Sequence, residues 1–191
     1  MRFYVGLALV LGTTLARADL RGNPTFAVSA VLVEPTGDFA KEANNGFGAG
    51  LHLGYRIFAR KQPIEAEAGV VLGLAVLPTD DNKTANGIVA PYLRAGFAAG
   101  LFHPYALVGL GFGFDDRDTP PPTPQEPQEE DNGAVGRFGA FRAGAGFDVK
   151  LYGEYFLGAF VLAETIPGAG RDMSQVTGGL MFLVGGLPPT R

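Results

Sequence analysis

Residues 104–116 read PYALVGLGFGFDD, in which Gly109, Gly111 and Gly113 alternate with Val108, Leu110, Phe112 and Phe114. A period of two is the mark of extended chain, whose side chains point in turn to opposite faces. A strand with one wet face ordinarily fills it with Thr, Lys, Glu or Ser. Here that face is stripped to glycine, while the other carries large apolar groups. Such a strand separates an apolar medium from a space too crowded for side chains.

The same period recurs along most of the chain. It predicts eight strands, at about 26–34, 47–58, 64–77, 88–101, 104–116, 138–151, 152–164 and 175–184. Each is near the ~9–11 residues that a tilted strand needs to cross a bilayer. In the second, Phe47, Ala49, Leu51, Leu53, Tyr55 and Ile57 oppose Gly48, Gly50, His52, Gly54 and Arg56. Val108, Leu110, Phe112 and Phe114, and the corresponding apolar rows of the second, third, fourth, sixth, seventh and eighth strands, hold no charged residue. Their opposite rows hold Arg56, Arg94, Arg142 and Lys150 against Glu65, Glu67, Asp148, Glu154 and Glu164. Nearly balanced charge confined to one face predicts a polar barrel interior, with the apolar face turned to lipid. Eight strands enclose an interior just wide enough for side chains, which explains the glycines. The expected fold is therefore all-β, an eight-stranded antiparallel up-and-down transmembrane β-barrel. Its lumen charges, Arg56, Glu65, Glu67, Arg94, Arg142, Asp148, Lys150 and Glu154, are expected to pair and plug it. Arg94 and Arg142 should find carboxylates among Glu65, Glu67, Asp148 and Glu154. A narrow passive channel for small solutes or ions is the alternative.

Links after the second, fourth and sixth strands look short: residues 59–63, a turn at His103-Pro104, and a corner at 150–153. Those after the first, third, fifth and seventh look long, as in outer-membrane barrels with short periplasmic turns. Aromatic residues at strand ends (Phe47, Tyr55, Phe102, Tyr105, Phe112, Phe114, Phe138, Tyr152, Tyr155) are suited to two interfacial girdles.

The N-terminus supplies an address. Arg2 is followed by an uncharged apolar run at 3–11 and by Ala16-Arg17-Ala18, an A-x-A cleavage site. Residues 1–18 read as a secretory signal peptide and 19–191 as the mature barrel, beginning at Asp19. Losing Arg2 and Arg17 takes the formal charge from −4 to −6.

Several function classes drop out. There is no Cys for a thiolate metal site or a disulfide, and no basic block for nucleic acid. Residues 95–114 form twenty uncharged positions, a membrane helix by length, but Pro104 and the two-residue period favour a hairpin. A soluble barrel of lipocalin type would be apolar inside, the reverse of these charges. Ser29, His52 and Glu67 fall near one another if neighbouring strands pair, the makings of a lipid-modifying enzyme. They would lie mid-strand in a packed interior, and no nucleophile elbow surrounds Ser29, so no catalytic residue is expected. His52 is instead expected to bond a carboxylate. Thr79-Asp80-Asp81-Asn82-Lys83 lacks the spacing of a calcium loop; neither metal nor cofactor is expected. The Pro-rich acidic segment at 115–136 is too polar to bury a core and is expected to be a flexible loop.

The stretches EPTGDFAKEANNGFGAGLHLGYRI, APYLRAGFAAG, HPYALVGLGFGFDD and TGGLMFLV resemble the small outer-membrane β-barrel proteins of Gram-negative bacteria, the OmpA-like transmembrane group. The likeness covers essentially all of the mature chain. It implies location in the outer membrane, a porin-like fold and a structural or surface-interaction role without chemistry. It also implies a monomer whose partners are the bilayer and, during biogenesis, periplasmic chaperones and the barrel-assembly machinery. Barrels of this group commonly end on an aromatic residue, whereas here Phe182 is followed by LVGGLPPTR.

Mass spectrometry of the protein purified from membranes should find Asp19 at the N-terminus; an intact Met1 would contradict the leader.

Overall fold

The computed structural model describes residues 20–59, 63–79, 83–116, 137–167 and 173–185. The expected signal peptide (1–18) and residues 117–136 of the acidic loop lie outside the described residues. Eight strands follow one another: β1 Leu20–Thr36, β2 Gly46–Ala59, β3 Ile64–Pro78, β4 Lys83–Phe97, β5 Phe102–Asp116, β6 Arg137–Tyr152, β7 Tyr155–Ile166 and β8 Met173–Gly185. Each pairs antiparallel with its chain neighbour, and β1 pairs with β8, closing the barrel in up-and-down order. Closure leaves no edge strand, so the wall's backbone groups find their partners within the sheet.

Period two sets the two faces as expected. Leu53, Leu72, Leu93, Leu110, Val161 and Leu180 point outward and are exposed, while His52, Val71, Arg94, Leu162 and Met181 point inward and are buried. Charged side chains on outward rows, such as Glu34 and Lys83, stand near the strand ends on the side of the longer loops. The belt between them is apolar, flanked by Phe47, Phe112 and Phe138 at that end and by Tyr55, Phe97, Phe102 and Tyr155 at the other.

Several boundaries differ from the sequence reading. The fourth strand ends at Phe97, and the turn occupies 98–101, where Gly100 (φ 67°) supplies a left-handed conformation and Ala99 bridges Phe102. His103 and Pro104 therefore belong to β5. Pro104 sits just beyond the last β4–β5 pair, Gly96 with Tyr105, where a missing N–H costs little. The last short turn is the two-residue 153–154, with Gly153 at φ 55°. The third strand's link is not long: 79–82 is as short as 98–101, because β4 begins at Lys83. Polar Lys83, Thr84 and Asn86 resemble loop, but they extend the strand where it leaves the apolar belt. Tyr105 does not join a girdle; it shares the inward row of β5 and is buried.

Two irregularities have local causes. Gly139 (φ 118°) is the extra residue of a bulge between β5 and β6, where Gly111 faces Ala140 and Phe112 faces Phe138. The β4–β5 pairing lapses at Ala90 and Pro91, between Val89–Phe112 and Tyr92–Gly109. Proline has no N–H to give there.

Leu110→Arg should cost about 2–4 kcal/mol in a refolding titration, while Phe102→Arg, near the short-turn end, should cost about 0–1 kcal/mol. Equal costs would contradict the assigned belt.

Candidate functional site

The candidate site is the lumen, ordered along the barrel axis. At the short-turn end Arg56 (β2) donates from Nε to Glu67 Oε2 (β3) at 2.7 Å and from Nη2 to Asp148 Oδ2 (β6) at 3.1 Å. Arg94 (β4) donates to the same Asp148 oxygen and lies over the Tyr105 ring, its Cζ 3.5 Å from the centroid. Tyr92 donates its hydroxyl proton to Glu67 Oε1 at 2.5 Å. His103 Nδ1 is 3.0 Å from Glu65 Oε2, and its ring meets Phe156 edge-on. Arg56 and Asp148 have no exposed surface. Charge so deeply desolvated persists only when it is paired and hydrogen-bonded.

Mid-lumen, Ser29 Oγ and His52 Nε2 are 3.3 Å apart, with Tyr92 and Phe160 presenting ring edges to His52. Toward the loop end, Arg142 (β6) and Glu164 (β7) form a second ion pair at 2.9 Å. Glu164 also accepts from Thr177 and from Gln175 Nε2 (3.2 Å), and Asn86 donates to Gln175 Oε1 at 2.9 Å. At the mouth the lumen turns apolar. Val33, Ala43, Ala75, Leu77, Ile166 and Met173 pack around Phe39, the first residue of the 3-10 turn Phe39–Lys41 that joins β1 to β2.

Glycine gives these groups their room. A Cβ built on Gly54 would stand 2.7 Å from Thr25 Oγ1, 2.7 Å from the Tyr92 hydroxyl and 3.0 Å from Glu67 Oε1. What space remains is small. One cavity of about 10 Å³, open to the centre of a water molecule, touches Thr25, His52, Glu67, Tyr92 and Arg94. Another of about 30 Å³ touches Ser29, His52, Asn86, Arg142, Glu164 and Gln175. At ~10–15 Å³ per water, the two have room for about one and about two waters.

The expected charge set is thus partly brought together. Arg56, Glu65, Glu67, Arg94 and Asp148 gather at the short-turn end. Arg142 stands apart from them and pairs with Glu164, outside the expected carboxylates, because the two face each other in the β6–β7 register. Lys150 is half-buried at the end of β6, and Glu154 is exposed in the turn, since β6 runs on to Tyr152. His103, Tyr92, Thr177, Gln175 and Asn86 were not expected as partners. The row of Tyr92, Gln175 and Thr177 is legible in the sequence, whereas Asn86 reads as loop and His103 as turn, and no pairing across the lumen is legible. His52 bonds Ser29 rather than a carboxylate, both oxygens of Glu67 being taken by Tyr92 and Arg56. Among the described residues no group of three or more His, Asp or Glu is placed to hold a metal ion.

Gly54→Ala should destabilise the barrel by about 1–3 kcal/mol through overpacking, measured by urea refolding. A neutral result would mean that this part of the lumen is slack.

No protein-family model and no curated protein sequence matches the chain. Among solved structures, it is similar to Neisserial surface protein A, NspA, at 10% identity and TM-score 0.54, covering 87% of this chain and 99% of that one. It is likewise similar to Ail, the attachment invasion locus protein of Yersinia pestis, solved in complex with the heparin analogue sucrose octasulfate. There the identity is 15% and the TM-score 0.50, with 87% of this chain and 99% of that one covered. The chain has the fold of the small eight-stranded outer-membrane β-barrels.

Proposed function

We propose that the protein is an integral outer-membrane barrel with a structural or surface-interaction role, monomeric and without catalytic activity, whose lumen is plugged by its own side chains. The observation that carries this reading is the sorting of charge. The mid-wall presents only apolar side chains outward, while Arg56, Arg94, Arg142, Glu65, Glu67, Asp148 and Glu164 are buried inside in ion pairs or hydrogen bonds. An outward apolar belt is a solvent match to acyl chains and to nothing aqueous. Paired and desolvated charges favour a filled interior, since a conducting pore keeps its charges hydrated.

The likeness to NspA and Ail supports outer-membrane location through the fold. A catalytic reading is opposed by the geometry of Ser29 and His52. Each is 8% exposed in mid-lumen, no free carboxylate oxygen orients the imidazole, and neither faces acyl chains. Folding of the chain is assigned to the barrel-assembly machinery after chaperoned passage through the periplasm.

Refolded into planar bilayers, the protein should give no unitary current steps of porin size. Conductance in the nanosiemens range would overturn the plug and favour the narrow passive channel.

A further inference from the structure

We propose that the β4–β5 turn, residues 98–101, is set into the membrane, with Leu101 and the neighbouring Tyr152 at the boundary between headgroups and acyl chains. The inference rests on the outer-membrane location proposed for the barrel, and it names the surface by which the short-turn end holds the bilayer. A turn that enters water ordinarily carries Asn, Asp, Ser or Gly with polar neighbours. Residues 98–101 read Ala-Ala-Gly-Leu, without a polar side chain. Ala99 is exposed, and Leu101 is 65% exposed. The turn continues the apolar belt without a break, since Phe97 at the end of β4 and Phe102 at the start of β5 are both about half exposed. Phe102 stacks on Phe147 of β6, with ring centroids 4.8 Å apart. Beside that pair, exposed Leu151 and Tyr152, the latter 83% exposed, carry the apolar surface to the end of β6.

The backbone of the turn suits the same medium. Where water is scarce, N–H and C=O groups must find their partners inside the protein. Ala98 N donates to Pro63 O, just ahead of β3, at 2.6 Å, and Lys150 N of β6 donates to Leu101 O at 2.8 Å. Within the turn, Ala99 N donates to Phe102 O at 2.7 Å and Phe102 N to Ala99 O at 3.1 Å. The turn is therefore closed on itself and tied to the chain on both of its flanks. Other connections carry a different chemistry. Glu154 stands exposed in the β6–β7 turn, and Asp38, Lys41, Glu42, Asn44 and Asn45 occupy the β1–β2 connection at the far end. On the short-turn side charge thus begins past Tyr152, which places the aqueous boundary between Tyr152 and Glu154. A tyrosine fits that level, having an apolar ring and a hydroxyl that reaches water. The patch 97–102 with 151–152 holds no charged residue. Its continuity with the belt that faces acyl chains selects the bilayer as its occupant.

The chain contains no tryptophan, so a single one reports its own surroundings. Leu101→Trp and Tyr152→Trp probe the boundary, and Leu110→Trp probes the middle of the belt. Lys41→Trp, at a side chain 76% exposed at the loop end, gives the water reference. Each variant is refolded into phosphatidylcholine vesicles, with folding checked by heat-modifiable gel mobility. Emission is quenched by lipids brominated near the ester end or near the middle of their acyl chains, and by acrylamide from the water. Leu101→Trp and Tyr152→Trp should each lose roughly half of their emission to bromines near the ester end and less to the deeper ones, as interfacial aromatic rings do. Leu110→Trp should show the reverse order, and Lys41→Trp should respond to acrylamide alone. Should Leu101→Trp fail to fold, the like-sized exchange Tyr152→Trp decides. Either boundary variant behaving as Lys41→Trp does, with Leu110→Trp still quenched by the deep bromines, would overturn the inserted turn and leave the belt standing. Protection from bromines and acrylamide alike would mean that protein covers the patch, and would overturn it too. Failure of Leu110→Trp to meet the deep bromines would instead strike the lipid-facing belt itself, and the inserted turn with it.

Discussion

Asp148 has no contact with water, yet one of its oxygens takes a guanidinium donor from each of two arginines, Arg56 from β2 and Arg94 from β4. An isolated carboxylate in such a place would be prohibitively costly, so this convergence constrains much else. Three strands distant in sequence must reach one point, which requires a closed barrel of small diameter. Arg56 is also held by Glu67, which accepts from Tyr92, and Arg94 is held from beneath by the Tyr105 ring. Each addition pairs part of the charge that the previous one brought inside. The glycines of the inward rows follow from the same demand: with side chains this large meeting across the axis, the wall between them must be bare at positions such as Gly54.

Around that network the lumen is graded. Ion pairs fill the short-turn end, neutral polar groups with a single Arg–Glu pair occupy the middle, and an apolar ring closed by Phe39 finishes the loop end. The outer surface runs no such gradient; it is apolar throughout the belt, with aromatic rings at both margins. The contrast matches a barrel whose outside is fixed by acyl chains and whose inside is fixed by its own charges.

Most of the fold was legible because period two carries both strand and face. Leu110 and Arg94 are assigned to opposite sides of the wall by counting alone. Boundaries failed where chemistry and period disagree. Lys83 to Gly87 reads as loop because polar residues continue a strand into water, and His103-Pro104 reads as a turn although the turn belongs to Gly100. The lumen partners were half legible. Arg142 and Glu164 are cross-strand neighbours, available to anyone who pairs β6 with β7 correctly. Arg56 and Asp148, 92 positions apart, meet across the axis through the stagger of the closed sheet. No local pattern encodes that stagger. Phe39 sits in a stretch that resembles an ordinary hydrophilic loop, and its inward seat depends on the ring of Leu77, Ile166 and Met173 supplied by three other strands.

The central claim, that paired charge holds the lumen together, is tested most directly by a double-mutant cycle on Arg94 and Asp148 in refolding equilibria. Asp148→Leu alone leaves Arg94 without its carboxylate and should cost about 3–5 kcal/mol. Adding Arg94→Met should recover part of that loss, because Arg56 keeps Glu67. Two single costs below about 1 kcal/mol that simply add, as for water-exposed pairs, would contradict the account.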